Sequence, residues 1–208
     1  LMGAVLTGTR TEAADTRSLR ALELECSGAC RVTTAPDAPV VIGVNAAAWP
    51  IPGASRGVAV ATREWVGSHA EAFGLDPLRD AIEVAGEQVL PHGAHRVILR
   101  QTHEGLPVIG ADLCVVVDAT DGLRSLLSGF VRGPWPSARV GIGPVFASQR
   151  VLEASPELEP GSTTTTLAWY AGDEVPRLVW WVQGRARTGR EVRSWVDASQ
   201  GESFAIDV

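Results

Sequence analysis

No lysine occurs in this chain; all 18 basic residues are arginine. That substitution is chain-wide, so it reads as the bias of a GC-rich genome and marks no site. Basic groups are also outnumbered. The net charge is -6 and the isoelectric point about 5.2, which leaves no positive footprint for nucleic acid. No apolar run approaches the ~18 residues of a membrane helix. The opening LMGAVLTG is too short for the apolar core of a secretory signal with its flanks, so the compartment has to be read from other features. Nucleophile motifs are missing: there is no GxSxG and no phosphate-binding Gly-rich loop. Tyrosine and methionine occur once each, against seven tryptophans, large side chains that belong to cores or interfaces.

Cysteine is scarce. Cys26 and Cys30 frame CSGAC, and Cys114 stands alone. A zinc ribbon needs a second ligand pair, which Cys114 does not supply. Ser27-Gly28-Ala29 makes a tight turn easy, so a Cys26–Cys30 disulfide is expected; two reduced, buried cysteines are the alternative. Such a small ring contributes only about 2 kcal/mol through chain entropy. If formed, it places the chain in an oxidising compartment. Cys114, in the middle of an apolar run, is expected to be a small core residue.

What the chain has in quantity is apolar residues, 45% of the total, arranged in two similar series. Leu22–Thr34 reads as two short strands around CSGAC, and Val40–Val44 as another extended segment. Between Gly57 and Phe73, Val58, Ala61, Trp65, His69, Ala72 and Phe73 recur at the helical period, and Gly74 follows as a stop. Leu78–Leu90 fits either a helix or a strand. Val97–His103, Val108–Asp118 and Leu123–Val131, separated by short Gly-containing turns, read as an antiparallel meander. The Gly- and Pro-rich Arg132–Pro144 reads as a linker. A helix near Val145–Ala154 then precedes strands at Thr163–Tyr170, Leu178–Gly184, Val192–Asp197 and Glu202–Val208. The expected fold is α+β, with two cystatin-like lobes, residues 1–133 and 134–208, each a helix packed on a twisted antiparallel sheet.

His103-Glu104 looks like the start of the HExxH motif of zinc peptidases. The fifth position is Pro107, however, and Gly105 and Pro107 break the helix the motif requires. His92 and His95 flank a turn at a spacing that does not fix two ligands on one side. His69 reads as a partly buried helix residue. Trp180 and Trp181, adjacent in a strand, send one indole to each face. The residues therefore imply no catalytic centre, no metal and no cofactor.

The stretch RQTHEGLPVIGADLCVVVDATDGLRSLLSGFV does resemble a known family, the FTP domain of fungalysin and thermolysin propeptides. Gln101, Thr102, Gly105, Pro107, Val108, Gly110, Asp118, Gly122, Ser125 and Gly129 fall in matching places. WVGSHAEAFGL resembles the helix that ends in Phe-Gly-Leu in that family. RLVWWVQG and REVRSWVDASQGE are similar to the PepSY-type lobe that follows in such propeptides. The resemblance spans about residues 20 to 208. It departs at one point: aligning on Gln101 puts Ile98 where an arginine belongs and Leu99 at an aromatic position, with Arg96 and Arg100 on either side.

The resemblance implies a secreted, non-catalytic prodomain that helps a zinc metallopeptidase domain to fold and covers its cleft until it is cleaved. A stand-alone secreted inhibitor built on the same lobes is the alternative. The implied partner is the protease domain, whose HExxH should follow Val208 in the full precursor. A tethered inhibitor sees it at roughly millimolar effective concentration, so micromolar affinity gives about a thousandfold bias to the closed state. The expected contact residues are Arg96, Arg100, Gln101 and His103 on the first lobe and Phe204, Ile206 and Val208 in the tail. An extended tail can add main-chain bonds to a cleft strand; otherwise Phe204–Val208 is the last strand of the second lobe.

Overall fold

The computed structural model describes residues 9–26, 30–35, 38–44, 49–159, 161–172 and 175–207; for 9–16, 30, 33–35, 38–44 and 204–207 it describes the backbone only. The chain divides into two compact units. Residues 1–105 and 111–132 form the first, 106–110 and 133–208 the second.

The first unit opens with helix α1 (Thr9–Glu25), where two strands were expected to begin at Leu22. Its sequence, TRTEAADTRSLRALELE, is rich in the strong helix formers Ala, Leu, Arg and Glu. Leu22 is fully buried and Cys26 nearly so, and Leu19 packs against the same core. That spacing of three and four residues is the helical signature. β1 (Cys30–Ala35) and β2 (Ala38–Val44) pair antiparallel, and the short β3 (Trp49–Pro50) pairs with a later strand of the unit.

Helix α2 (Val58–Ser68) follows, and a 3-10 turn, Ala70–Phe73, carries it on to Gly74. Gly74 has φ +77, and a Cβ there would lie 2.2 Å from Arg132 Cγ. Backbone hand and space both demand glycine at that stop. α2 buries Ala61, Trp65 and Val66. Burial of a large apolar side chain contributes roughly 1.5–3 kcal/mol, so this face is what holds α2 to the sheet.

β4 (Asp80–Val89), β5 (His95–His103), β6 (Leu106–Val117) and β7 (Gly122–Ser128) form the meander, which resolves the ambiguous Leu78–Leu90 as a strand. β4 pairs with β5, β5 with β6, and β6 with β7, which also takes β2 and β3. Glu104 and Gly105 join β5 to β6 with φ of 50 and 79. Both central residues are left-handed, the turn that matches the twist of a hairpin. On β5, Val97, Leu99, Gln101 and His103 are fully buried, the period-two signature of a strand with one face on a core. That core gathers Leu22, Trp65, Val66, Phe73, Leu113 and Leu126, among others.

The second unit takes the first five residues of β6 and adds helix α3 (Pro144–Ala154), β8 (Thr164–Tyr170), β9 (Arg177–Arg185), β10 (Glu191–Asp197) and β11 (Ser203–Asp207). The strand order is β6-β8-β9-β10-β11. The β6–β8 pair is parallel, through Val108↔Trp169 and Ile109↔Tyr170, an exception to the expected antiparallel sheet; the other pairs are antiparallel. Pro144 stands in the first turn of α3, where its missing N–H costs nothing. Ala147 and Val151 on α3 pack with Val182, Val192 and Val196 on one face. Trp180 joins them and donates from Nε1 to the Ile142 carbonyl at 2.9 Å. Trp181 packs on the opposite face with Ala168, Val179 and Trp195.

Both meanders turn on the same device. In VDATDG, Asp118 Oδ1 accepts from Thr120 N (2.8 Å), Thr120 Oγ1 (2.7 Å) and Gly122 N (3.0 Å), while Oδ2 accepts from Arg124 Nε at 2.7 Å. In VDASQG, Asp197 Oδ1 accepts from Ser199 N, Ser199 Oγ and Gln200 N at 2.8, 2.6 and 2.9 Å. Burial opposes the charged form of each carboxyl. The hydroxyl and N–H donors outweigh it, helped by Arg124 in the first case and Arg177 in the second. Asp118 is held down from 3.8 to about 2; Asp197 is also lowered.

A carboxyl with a depressed folded-state pKa stabilises the fold above its unfolded value, and that contribution is lost as pH falls toward the folded value. Asp118→Ala should therefore cost about 2 kcal/mol at neutral pH. It should also flatten the loss of stability between about pH 4 and pH 2. Urea titrations across that range check both, and an unchanged acid limb would remove Asp118 from the account.

Candidate interaction surface

In the first unit, α2 covers one face of the meander. The other face carries Arg96, Ile98 and Arg100 from β5, Asp112, Cys114 and Val116 from β6, and Leu127 from β7. Register fixes the last pairs, with Cys114 opposite Leu127 and Val116 opposite Ser125. Arg100 reaches Asp112 through Nε and Nη2, at 3.0 and 3.3 Å. Arg96 Nε lies 3.4 Å from Cys114 Sγ. Leu127 is 52% exposed, while Ile98, Cys114 and Val116 are half-buried. An apolar strip thus runs across the sheet beside arginines from β5. This overturns the expectation that Cys114 is a core residue; the period of two puts its neighbours Leu113 and Val115 inside instead.

The same alternation divides the four expected contact residues of β5. Arg96 is exposed and Arg100 half-buried, both on the uncovered face. Gln101 and His103, expected at the contact, are instead fully buried and face the core. Gln101 Oε1 accepts from Val131 N at 2.9 Å, and its Nε2 donates to Val131 O at 3.1 Å. One amide side chain thereby fastens the end of the meander to its centre. His103 Nδ1 lies 2.6 Å from Asp80 Oδ1, with both side chains at most 2% exposed. Asp80 Oδ2 also accepts from Asp76 N at 2.8 Å. The sequence reading did not single out Asp80, although its place at the start of β4, directly opposite His103, marks it once register is known.

The tail expectation splits as well. Ser203–Asp207 is strand β11, paired to β10 through Trp195↔Ala205, Ser194↔Ile206 and Arg193↔Asp207. The segment forms the last strand of its unit. The side chains of Phe204 and Ile206, and all of Val208, lie outside the described residues. So do residues 27–29 and the side chain of Cys30, and with them the expected disulfide.

His95 and His69 each have a definite partner. His95 Nδ1 is 2.8 Å from Glu87 Oε1. His69, at the C-terminus of α2, has Nδ1 2.8 Å from Trp65 O and Nε2 2.9 Å from Glu25 Oε2 on α1. Ser68 Oγ lies 3.1 Å from that ring and donates to Trp65 O at 2.7 Å, so two side chains meet the same carbonyl at the end of α2.

No family model matches the chain, and no curated protein does. Among solved structures, the Bacillus megaterium YpeB C-terminal domain is similar in fold, with a TM-score of 0.47 and 11% identity over 99% of this chain and 98% of that one.

Proposed function

We propose that this chain is the secreted prodomain of a thermolysin-type zinc metallopeptidase, assisting the folding of the protease domain and occupying its surface until cleavage. The reading rests on the sequence resemblance. The observation that carries it further is the division of labour on β5. Its inward side chains lock the meander, while Arg96 and the strip ending at Leu127 remain available to a protein partner. The resembling residues perform folding tasks: Gln101 ties Val131, Gly105 makes the hairpin turn, and Asp118 gathers the next turn. Such a motif identifies a scaffold, and the contact chemistry must come from the face beside it. Secretion and the Cys26–Cys30 bridge belong to the same proposal.

The test uses thermolysin as probe and measures its peptidase activity against increasing concentrations of the chain. Inhibition should appear at micromolar concentration. Arg96→Glu combined with Leu127→Asp, both at exposed positions, should weaken it at least tenfold, about 1.4 kcal/mol, at unchanged melting temperature. Retained inhibition by that variant, with loss on deletion of Ala205–Val208, would move the contact to β11. No inhibition of thermolysin or of a peptidase encoded downstream would sink the prodomain reading.

A further inference from the structure

We propose that the Arg139–Val140 peptide bond is a processing site for an arginine-directed endopeptidase of the trypsin type, and that the nicked chain stays together. An endopeptidase needs several residues of extended, accessible main chain whose own hydrogen bonds need not be broken first. Residues 136–140 are all exposed and belong to no helix or strand, and Val140 is 53% exposed. Among the described residues they make no backbone hydrogen bond; the first is from Gly141 N to Ala198 O at 2.8 Å.

The other arginines are poorer targets, and all 18 lie among the described residues. Most are within helices or strands. Of those that are not, Arg56 closes a 3-10 turn through Gly53 O, and Arg187 N is bonded to Glu157 O. Arg190 O accepts from Ala186 N, and Arg79 is paired with Glu104. Arg132 lies against Gly74 and donates to Ala72 O. In this group Arg139 alone has neither an ion pair nor a hydrogen bond among the described residues, and the residue after it is valine, which does not block cleavage as proline would. Hydrolysis consumes one water and leaves a carboxylate on Arg139 and an amine on Val140.

The pieces are held by what the first one contributes to the second unit. Val108 is fully buried, and Ile109 packs with Ala168, Val179 and Trp195. Ala171 N donates to Ile109 O at 2.9 Å. Trp135, also before the cut, meets the Trp169 ring at 5.3 Å.

The experiment is brief digestion of the folded chain with dilute trypsin, read by intact mass and by size exclusion. The first products should be residues 1–139 and 140–208, eluting together at the position of the uncut chain. Arg139→Gln should slow the first cut at least tenfold, whereas Arg187→Gln should leave it unchanged. A first cut elsewhere, or equal rates in wild type and Arg139→Gln, would overturn the site; separate elution of the two pieces would overturn the holding contact. The result is independent of protease inhibition, so each proposal can fail without the other.

Discussion

Asp80→Ala should lower the unfolding free energy by about 3–5 kcal/mol, the usual cost of removing one partner from a buried charged or charge-assisted pair. Asp80 is 2% exposed and its partner His103 1%, so water cannot readily replace the lost carboxylate. The carboxylate also joins the end of β5 to the turn before β4, taking His103 Nδ1 on one oxygen and the Asp76 N–H on the other. Asp80→Asn keeps an acceptor of the same shape and should cost about half as much. Urea unfolding at neutral pH measures both. A loss below 1 kcal/mol for the alanine variant would show that His103 is satisfied without Asp80.

Gln101→Leu is expected to cost about 2–4 kcal/mol, although leucine is apolar and similar in volume. The substitution keeps most of the packing but strips the Val131 N–H and C=O of their partners, and each orphaned group costs about 1–3 kcal/mol. Val131 is half-buried, so water recovers part of the loss, which is why the range stops short of the sum. Gln101→Glu retains the acceptor for Val131 N but loses the donor and buries a charge, so it should not rescue. Loss of protection at the Val131 amide in hydrogen exchange, with β5 still protected, would locate the damage; an unchanged Val131 amide would refute the clamp.

Several elements were legible because their patterns are local. α2 announces itself through Val58, Ala61 and Trp65 and stops at Gly74, and the meander through its Gly-containing turns. Helix α1 was missed although its composition favours a helix, because the CSGAC turn drew Leu22 into a strand reading; burial of Leu19, Leu22 and Cys26 on one side decides the matter. β4 was ambiguous because alternation in IEVAGEQVL is interrupted by a register shift between Val84 and Gly86.

The placement of the β5 side chains was half legible. Membership of β5 could be read from sequence, but which parity faces the core could not, since a shift of one residue exchanges Arg96 and Arg100 for Gln101 and His103. The repeated VDA turn, visible at Val117–Ala119 and Val196–Ala198, is the signal that sequence reading left unused. Its two aspartates hold the same kind of corner.

The division of β6 between units has a consequence for how the polypeptide acquires its structure. A domain whose sequence is contiguous can be excised at its boundary and still fold. Here an excised 133–208 segment would lack Val108 and Ile109, and β8 would present a bare edge of the kind that recruits other chains. During synthesis the missing strand is already made when β8 emerges. The second unit must then close its sheet onto a segment more than fifty residues upstream, a long-range pairing of the sort that slows folding. Completing the second sheet therefore requires residues 106–110, which an excision at residue 133 does not retain.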